Sequence, residues 1–314
     1  MPDHTSQLVA QVRDALASGR SLRPAGRRSK PWMAVASDEL LSLAGHEGIL
    51  QYDPAELVVT VRAGTSLSEL DDALAEKGQM LAMDSPDFNG NSTIGGAVAL
   101  GWGGSRSVFA GSVRDTVLGV RMINGQGEDL RFGGQVMKNV AGFDVSRLMA
   151  GSCGLLGVLL ELSLKVVPRP QLEMTFGWQS PDVESMSVQV DSWTRRGIPV
   201  TGASFEHGRA RVRLSGPSRL LDELCESMPG EQEDGQFWDD LRRLSLPLFH
   251  HGWGDEKLFD GNGSICWTAH TRRSGNSFVD LGKGPDLSKT TNAALMSRVI
   301  RAFDPNGLFQ PVAA

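Results

Sequence analysis

Leu8, Val9, Val12 and Leu16 recur at the three- and four-residue spacing of one helical face, so 5–19 is predicted as an amphipathic helix closed by Gly19. A short strand over 21–24, the polar turn "AGRRSK" and an extended piece near "PWMAVAS" follow. "AELVVTVRAG" is rich in β-branched residues and predicts a strand, whereas "TSLSELDDALAEKGQML" opens on a Ser or Thr cap and carries leucines at helical spacing until Gly78. "TVLGVRMI", the turn "NGQGE" and "DLRF" read as a hairpin, because Asn-Gly is a strong local turn signal. "FDVSRLMAGSCGLLGVLLELSLKVVPRP" predicts a helix to about Met149, a glycine-rich turn, and a long apolar strand stopped by Pro168 and Pro170.

Beyond that proline pair the composition shifts. "EMTFGW", "VTGASFEHG" and "ARVRLSG" read as strands, with a helix around 217–228, so 171–290 forms a smaller α+β unit of its own. A polar, glycine-rich segment at 272–288 leads to a final helix at about 289–303 and the turn "FDPNGLFQP".

A chain of 314 residues exceeds the roughly 250–300 at which single cores stop growing, which favours two domains. The net charge of −6 and the scattered basic residues give no footprint for nucleic acid. Cys153, Cys225 and Cys266 are odd in number and far apart, against a disulfide framework or a metal site, and read as reduced thiols of a cytoplasmic protein. The N-terminus lacks the basic head and apolar run of a signal peptide, and no stretch reaches the ~20 apolar residues of a membrane span. Any membrane contact is expected to run through a partner.

Three separated segments share a chemistry: "RPAGRRSKPW" (23–32), the glycine-rich 92–115, and 137–161. Each sets glycine or a small hydroxyl residue at a turn beside a strand or helix start, where main-chain amides can meet phosphate or ring oxygens. Each is equally readable alone as a tight packing turn, and Gly103-Gly104 and Gly133-Gly134 are the plainest of these. No Gly-x-x-x-x-Gly-Lys-Ser/Thr exists, and no Gly-x-Gly-x-x-Gly follows an early strand with an acidic residue ~20 further on, so P-loop and Rossmann sites do not fit.

"TIGGAVALG", the run from "GSVRDTVLGV" to "VVPRP", and the closing "AFDPNGLF" resemble the FAD-binding domain of the PCMH-type (vanillyl-alcohol-oxidase) superfamily, nearest to the FAD-binding subunits of bacterial glycolate oxidases. The resemblance implies an α+β fold: a two-subdomain flavin domain over 1–170 (about 1–62 and 63–170), the smaller domain at 171–290, and a helix and tail at 291–314 returning to the flavin domain. It implies that Gly26, Arg27, Arg28 and Ser29 wrap the FAD pyrophosphate, and that Pro86 precedes a flavin-side wall of Ser92, Thr93, Ile94, Gly95 and Gly96. By the same likeness Gly111, Ser112, Val113 and Asp115 line the flavin or diphosphate, while Gly151, Ser152, Gly154, Gly157 and Val158 border ribose and adenine. FAD carries two phosphates and an apolar ring, and donor-rich turns beside small apolar walls suit both. Family members bonded covalently to flavin carry a histidine in the first turn; none lies here, so the FAD is expected to be non-covalent.

"MKNVAGFDVSRL" contributes the polar set Lys138, Asn139, Asp144 and Arg147. Asp144 has a second reading as a helix cap, and Lys138 is either a partner for reduced, anionic flavin or a solvated lysine. The family's first turn usually carries glycines where this chain has Arg27 and Arg28; at positive φ each would cost ~1 kcal/mol or more, while a guanidinium adds phosphate contacts. The closing motif departs too, with Phe309-Gln310-Pro311 where the family has Phe-Asn-Pro-Gly. "FDGNGSICW" lacks the histidines that flank the related segment of partner-type oxidase subunits and reads as a turn. No metal site is expected; Lys138, His250 and His251, with His270, are the remaining catalytic candidates, and a surface or interface role competes for each histidine.

The expected activity is FAD-dependent oxidation of a small 2-hydroxy acid within a glycolate oxidase complex, alongside a second FAD-containing subunit and an iron–sulfur subunit, in the cytoplasm and peripheral to the inner membrane through those partners. The alternatives are an assembly subunit of the same fold with weakened FAD binding, and an oxidoreductase acting alone.

Overall fold

The computed structural model describes residues 3–29, 37, 39–88, 90–135, 144–243 and 293–309, with the backbone of three further strands at 257–260, 265–268 and 278–279. Helix α1 (Thr5–Ser18) buries Leu8, Val12 and Ala15 and ends at Gly19, as its periodicity predicts. Strands β1 (Leu22–Ala25) and β2 (Glu39–Ser42) pair in parallel, an arrangement that brings the polar turn after β1 to one end of a small sheet.

The main sheet has the order β3 (Ile49–Asp53), β4 (Val58–Arg62), β8 (Val158–Pro168), β6 (Val117–Ile123), β7 (Asp129–Gly133), all neighbours antiparallel, with β5 (Gln79–Leu81) pairing the far end of β8. Alternation along β8 decides its two faces: Leu160, Leu162, Leu164 and Val166 are fully buried in the core, while Glu161 and Ser163 meet Arg121 and Thr60 on the other. Against the apolar face lie α2 (Leu67–Ala75), capped by Ser66, and α3 (Ile94–Leu100), capped by Thr93. The short helices α4 (Ser107–Ala110) and α5 (Val113–Thr116) lead into β6, and α6 (Val145–Leu148) lies between β7 and β8.

After Pro168 a second sheet, antiparallel except for its last pair β14–β15, begins with β9 (Leu172–Gln179), β10 (Val200–Glu206) and β11 (Arg209–Gly216), matching the three predicted strands. It continues through β12 (Glu231–Glu233) at one edge and β13 (Lys257–Asp260), β14 (Ile265–Thr268) and β15 (Phe278–Val279) at the other. Helix α7 (Val183–Arg195), which the sequence reading omits, buries Met186, Val190 and Trp193 at helical spacing, with Asp182 accepting from the Ser185 amide at 2.7 Å. Helices α8 (Ser218–Cys225) and α9 (Gln236–Arg243) complete this layer. Two hydrophobic clusters result: one holds residues 8–166 together with Ile300, Leu308 and Phe309, the other residues 174–228.

The chain's last described helix, α10 (Ala293–Phe303), and its turn pack on the first cluster. Buried Asp304 accepts from the amides of Leu308 and Phe309, both at 2.8 Å, and the Leu308 carbonyl receives the Leu22 amide. No helix among the described residues is long and apolar enough to cross a membrane.

Candidate functional site

The three glycine-bearing turns meet around α3. At its N-terminal end, a Cβ on Gly26 would stand 2.4 Å from Thr93 Oγ1, and the Ser29 and Ser92 hydroxyls lie 3.4 Å apart. At its C-terminal end, a Cβ on Gly101 would stand 3.2 Å from Gly151, and the amides of Gly151 and Cys153 donate to Val98 and Ala99 of the last turn. Pro24 is the nearest neighbour of Gly154, at 3.8 Å from where its Cβ would be, which closes the circuit between first and third turns. One helix thus holds segments more than 100 residues apart in sequence.

The candidate glycines divide in two. Gly26, Gly95 and Gly157 are packed by protein, since a Cβ on Gly95 would meet Ala63 at 2.6 Å and one on Gly157 the Ile123 carbonyl at 2.4 Å. Among the described residues, a Cβ on Gly151 would have nothing within 4 Å, and one on Gly96 or Gly111 would meet only Thr93 Oγ1 at 3.2 Å or Asp115 at 3.5 Å. The open glycines present bare main chain to whatever adjoins them; the packed ones bring the walls together.

Amide accounting divides the walls differently. Ile94, Gly95 and Gly96 donate to Thr65, Ala63 and the Thr93 hydroxyl, and Ser152 donates to Met149, so these amides are already engaged. Ser92 bonds the Pro86 carbonyl at 2.9 Å, and Ser92, Ile94, Val113 and Val158 are buried in the walls rather than at their surface. Ser112 and Asp115 form a capping box on α5, and the Ser112 bonds hold the Asp115 carboxyl below the usual range. Asp144 caps α6 through the Arg147 amide at 3.2 Å, matching its helix-cap reading.

The first turn is different. The amides of Gly26, Arg27 and Arg28 donate to no acceptor among the described residues, and the exposed Arg28 guanidinium has no carboxylate partner there. Arg27 pairs with Glu47 at 2.9 Å. Of residues 26–29 only Arg28 has a left-handed backbone, at φ +54°. An exposed turn with unengaged amides and a left-handed residue has the character of an anion-binding nest. A dinucleotide carrying two phosphates fits that donor set. Lys138, Asn139, His250, His251 and His270 lie outside the described residues; "FDGNGSICW" falls on the β13–β14 hairpin, where Asp260 pairs with Ile265. Among the described residues no group of three potential metal ligands occurs.

Sequence reasoning missed a charged junction between the two clusters. Asp84 receives Arg106 Nε at 3.2 Å and the Arg213 guanidinium from β11, while Arg106 also reaches Glu173 of β9 at 2.8 Å. Burial alone would raise the Asp84 carboxyl, but Arg213 and Arg106 hold it at about 2. A second tie joins Arg242 of α9 to Asp71 of α2. Charged residues 22 to 171 positions apart carry no local pattern, so only the fold reveals these pairs.

Residues 1–133 match the family described as FAD binding domain. The chain is 42% identical to glycolate oxidase subunit GlcE of Escherichia coli (strain K12), over 98% of this chain and 97% of that protein. It is 37% identical to glycolate oxidase subunit GlcD of Bacillus subtilis (strain 168), over 40% of this chain and 27% of that one. Among solved structures, an alkyldihydroxyacetonephosphate synthase superposes with a TM-score of 0.68 over 99% of this chain and 74% of its own, at 15% identity, which speaks for the fold. A likeness to GlcE that runs through both sheets, and not the flavin domain alone, assigns the whole architecture: the chain belongs to the GlcE family of FAD-binding, PCMH-type oxidoreductase subunits.

Proposed function

We propose that this chain is the FAD-binding subunit of a complex that oxidises glycolate or a similar 2-hydroxy acid. The observation that carries the reading is the first turn, where three amides without an acceptor among the described residues adjoin an exposed guanidinium with no carboxylate partner among those residues. Gly26, Arg27, Arg28 and Ser29 would hold the pyrophosphate, the guanidinium adding charge-assisted bonds. Thr93 and Gly96, backed by Ser92, Ile94 and Gly95, would form the flavin-side wall, with Pro86 fixing Ser92 from behind. Gly111, Ser112 and Asp115 would border the flavin or diphosphate, and Gly151, Ser152 and Gly154 the ribose and adenine, with Val113, Gly157 and Val158 shaping the backing.

When bound, FAD supplies a ring able to accept a hydride from the hydroxyl-bearing carbon. The chain's own residues bind and orient; Lys138, His250 and His251 remain candidates for chemistry at the substrate. Related proteins are each named as a glycolate oxidase subunit, GlcE in one case and GlcD in another, which supports a multi-subunit complex here. We place a second FAD-containing subunit and an iron–sulfur subunit beside this one, passing electrons to an acceptor, with the assembly cytoplasmic and held at the inner membrane through those partners. The FAD is non-covalent in this reading.

The test is the visible spectrum of the purified full-length chain: about one dissociable FAD per chain is expected, and colourless protein that takes up no added FAD overturns the reading. A second reading, an assembly subunit with weakened FAD binding, draws on the left-handed Arg28. It expects the complex to form with this chain flavin-free, and Arg28→Gly to raise flavin occupancy sharply.

A further inference from the structure

Helix α9 belongs to the second sheet by its packing. Trp238 is buried, its indole N–H donates to Thr175 Oγ1 at 2.9 Å, and the Arg213 guanidinium lies 4.9 Å over its ring. In the last turn Arg242 leaves that layer and grips the flavin domain at three points. Its guanidinium meets the Asp71 carboxylate on α2, its Nε donates to the Ser85 carbonyl at 3.2 Å, and its own main-chain carbonyl receives the Asp87 amide at 2.8 Å.

Two of these grips fall on the loop at 84–92, whose described residues (84–88 and 90–92) have neither helix nor strand. On its other side the loop is fastened to the Gly103 and Trp102 carbonyls through the Asp84 amide and the Ser85 hydroxyl. Its two middle carbonyls fix Ser92: Asp87 O accepts the Ser92 amide at 2.9 Å, and Pro86 O accepts the Ser92 hydroxyl at 2.9 Å. Ser92 in turn faces Ser29 of the first turn. Between them Phe88 is held at φ +51°, a left-handed conformation that a phenylalanine leaves when its surroundings permit. The clamp therefore does two things: it orients the carbonyls that seat Ser92, and it keeps a strained residue from relaxing the loop.

We propose that Arg242 is a positioning residue for the flavin, coupling the seat of the second sheet to the wall at 92–96 through the loop at 84–92. The proposal rests on the reading of 26–29 and 92–96 as flavin walls. Displacement of α9, by a partner subunit or by substitution, loosens the wall without touching it.

The experiment uses the full-length chain stripped of FAD and retitrated, with Arg242→Ala, Arg242→Lys and Asp71→Asn compared with wild type. Arg209→Ala serves as control, because it breaks the Arg209–Glu233 pair at the outer edge of the second sheet. Readouts are the FAD dissociation constant from fluorescence quenching, the visible circular dichroism and reduction potential of bound flavin, and the melting temperature of stripped protein. Arg242→Ala is expected to weaken FAD tenfold or more and to change the visible dichroism. Arg242→Lys, which keeps the charge and the main-chain bond but loses the fork, falls between, and Arg209→Ala lowers the melting temperature with flavin properties unchanged. Arg242→Ala and Arg242→Lys with wild-type affinity, dichroism and potential overturn the proposal; if Arg242→Ala does not fold, Arg242→Lys and Asp71→Asn decide it on the same criteria. Gly26→Val separates the two readings: if it binds FAD as wild type does, the wall assignment fails and this proposal with it, whereas loss of FAD there with retention in the Arg242 variants refutes the positioning role alone.

Discussion

A methyl group added to Gly26 would stand 2.4 Å from Thr93 Oγ1 and 2.9 Å from its Cγ2, so the first turn and the start of α3 are fitted to each other. Thr93 has little freedom to yield, because its hydroxyl caps α3 by accepting the Gly96 amide. Gly26→Ala is expected to cost ~1–3 kcal/mol, divided between fold stability and FAD affinity. In the double variant with Thr93→Ala part of that clash disappears, at the loss of a cap worth ~1 kcal/mol. A four-member cycle read by urea unfolding and FAD titration should show coupling of at least ~0.5 kcal/mol; additivity would mean that the contact is not felt.

Arg27 and Arg28 separate in the structure although they are neighbours of one type. Arg28 has φ +54° and Arg27 does not, while Arg27 is the one paired with Glu47. Replacing Arg28 by glycine removes ~1 kcal/mol of backbone strain at the expense of a phosphate-seeking guanidinium. Arg27→Gly relieves no such strain and breaks a half-exposed ion pair. Thermal melts of flavin-stripped protein should therefore rank Arg28→Gly at or above wild type and Arg27→Gly below it. The same order reversed would mean that the turn's strain lies elsewhere.

These two positions also mark how far a sequence carries. Periodicity located α1, α2, the β6–β7 hairpin and the strands on both sides of Pro168, because each depends on local spacing and local turns. That the three glycine-bearing segments share a chemistry was legible in their residues, and the resemblance tied them to one ligand; their meeting on α3 is a tertiary fact. The reading of Gly103, Gly104 and Gly133 as packing turns holds, but which of the site glycines pack could not be read, since Ala63 and Ile123 are remote from Gly95 and Gly157 in sequence. The same limit hid α7, whose mixed composition masks the spacing of Met186, Val190 and Trp193, and the junction of Asp84, Arg106 and Arg213, whose partners come from separate strands and loops.

His46 is only 1% exposed, and neither ring nitrogen has a hydrogen-bond partner among the described residues. Burial, with Arg62 adding to it, pushes its pKa below the ordinary value, although Asp3 pulls the other way. The unfolded chain takes up a proton near pH 6.5 that the folded chain resists, so stability should fall as pH drops below ~6.5 and level off above it. His46→Leu removes two orphaned polar atoms and that slope together; urea unfolding should find it at least as stable as wild type at pH 7.5 and less sensitive between pH 7 and 5. A variant destabilised by 2 kcal/mol or more, with the slope retained, would show that the ring has a partner.

Asp84 decides whether the two sheets behave as one unit. Its carboxylate lies on the flavin side, Arg213 comes from β11, and Arg106 extends the link to Glu173 on β9. With the folded carboxyl held at about 2 against an ordinary value near 3.9, the stability from its ionisation is present above pH ~4 and lost as pH falls through 2, amounting to ~2 kcal/mol. Asp84→Asn leaves two buried guanidiniums short of their counter-charge, which costs ~3–5 kcal/mol, and abolishes the acid slope between pH 4 and 2. Because this charge bridges two separate hydrophobic clusters, its loss should also uncouple them: calorimetry is expected to resolve one transition in wild type into two in the variant. A single, merely lower transition would place the coupling in the apolar contact of Phe109 with the second cluster instead.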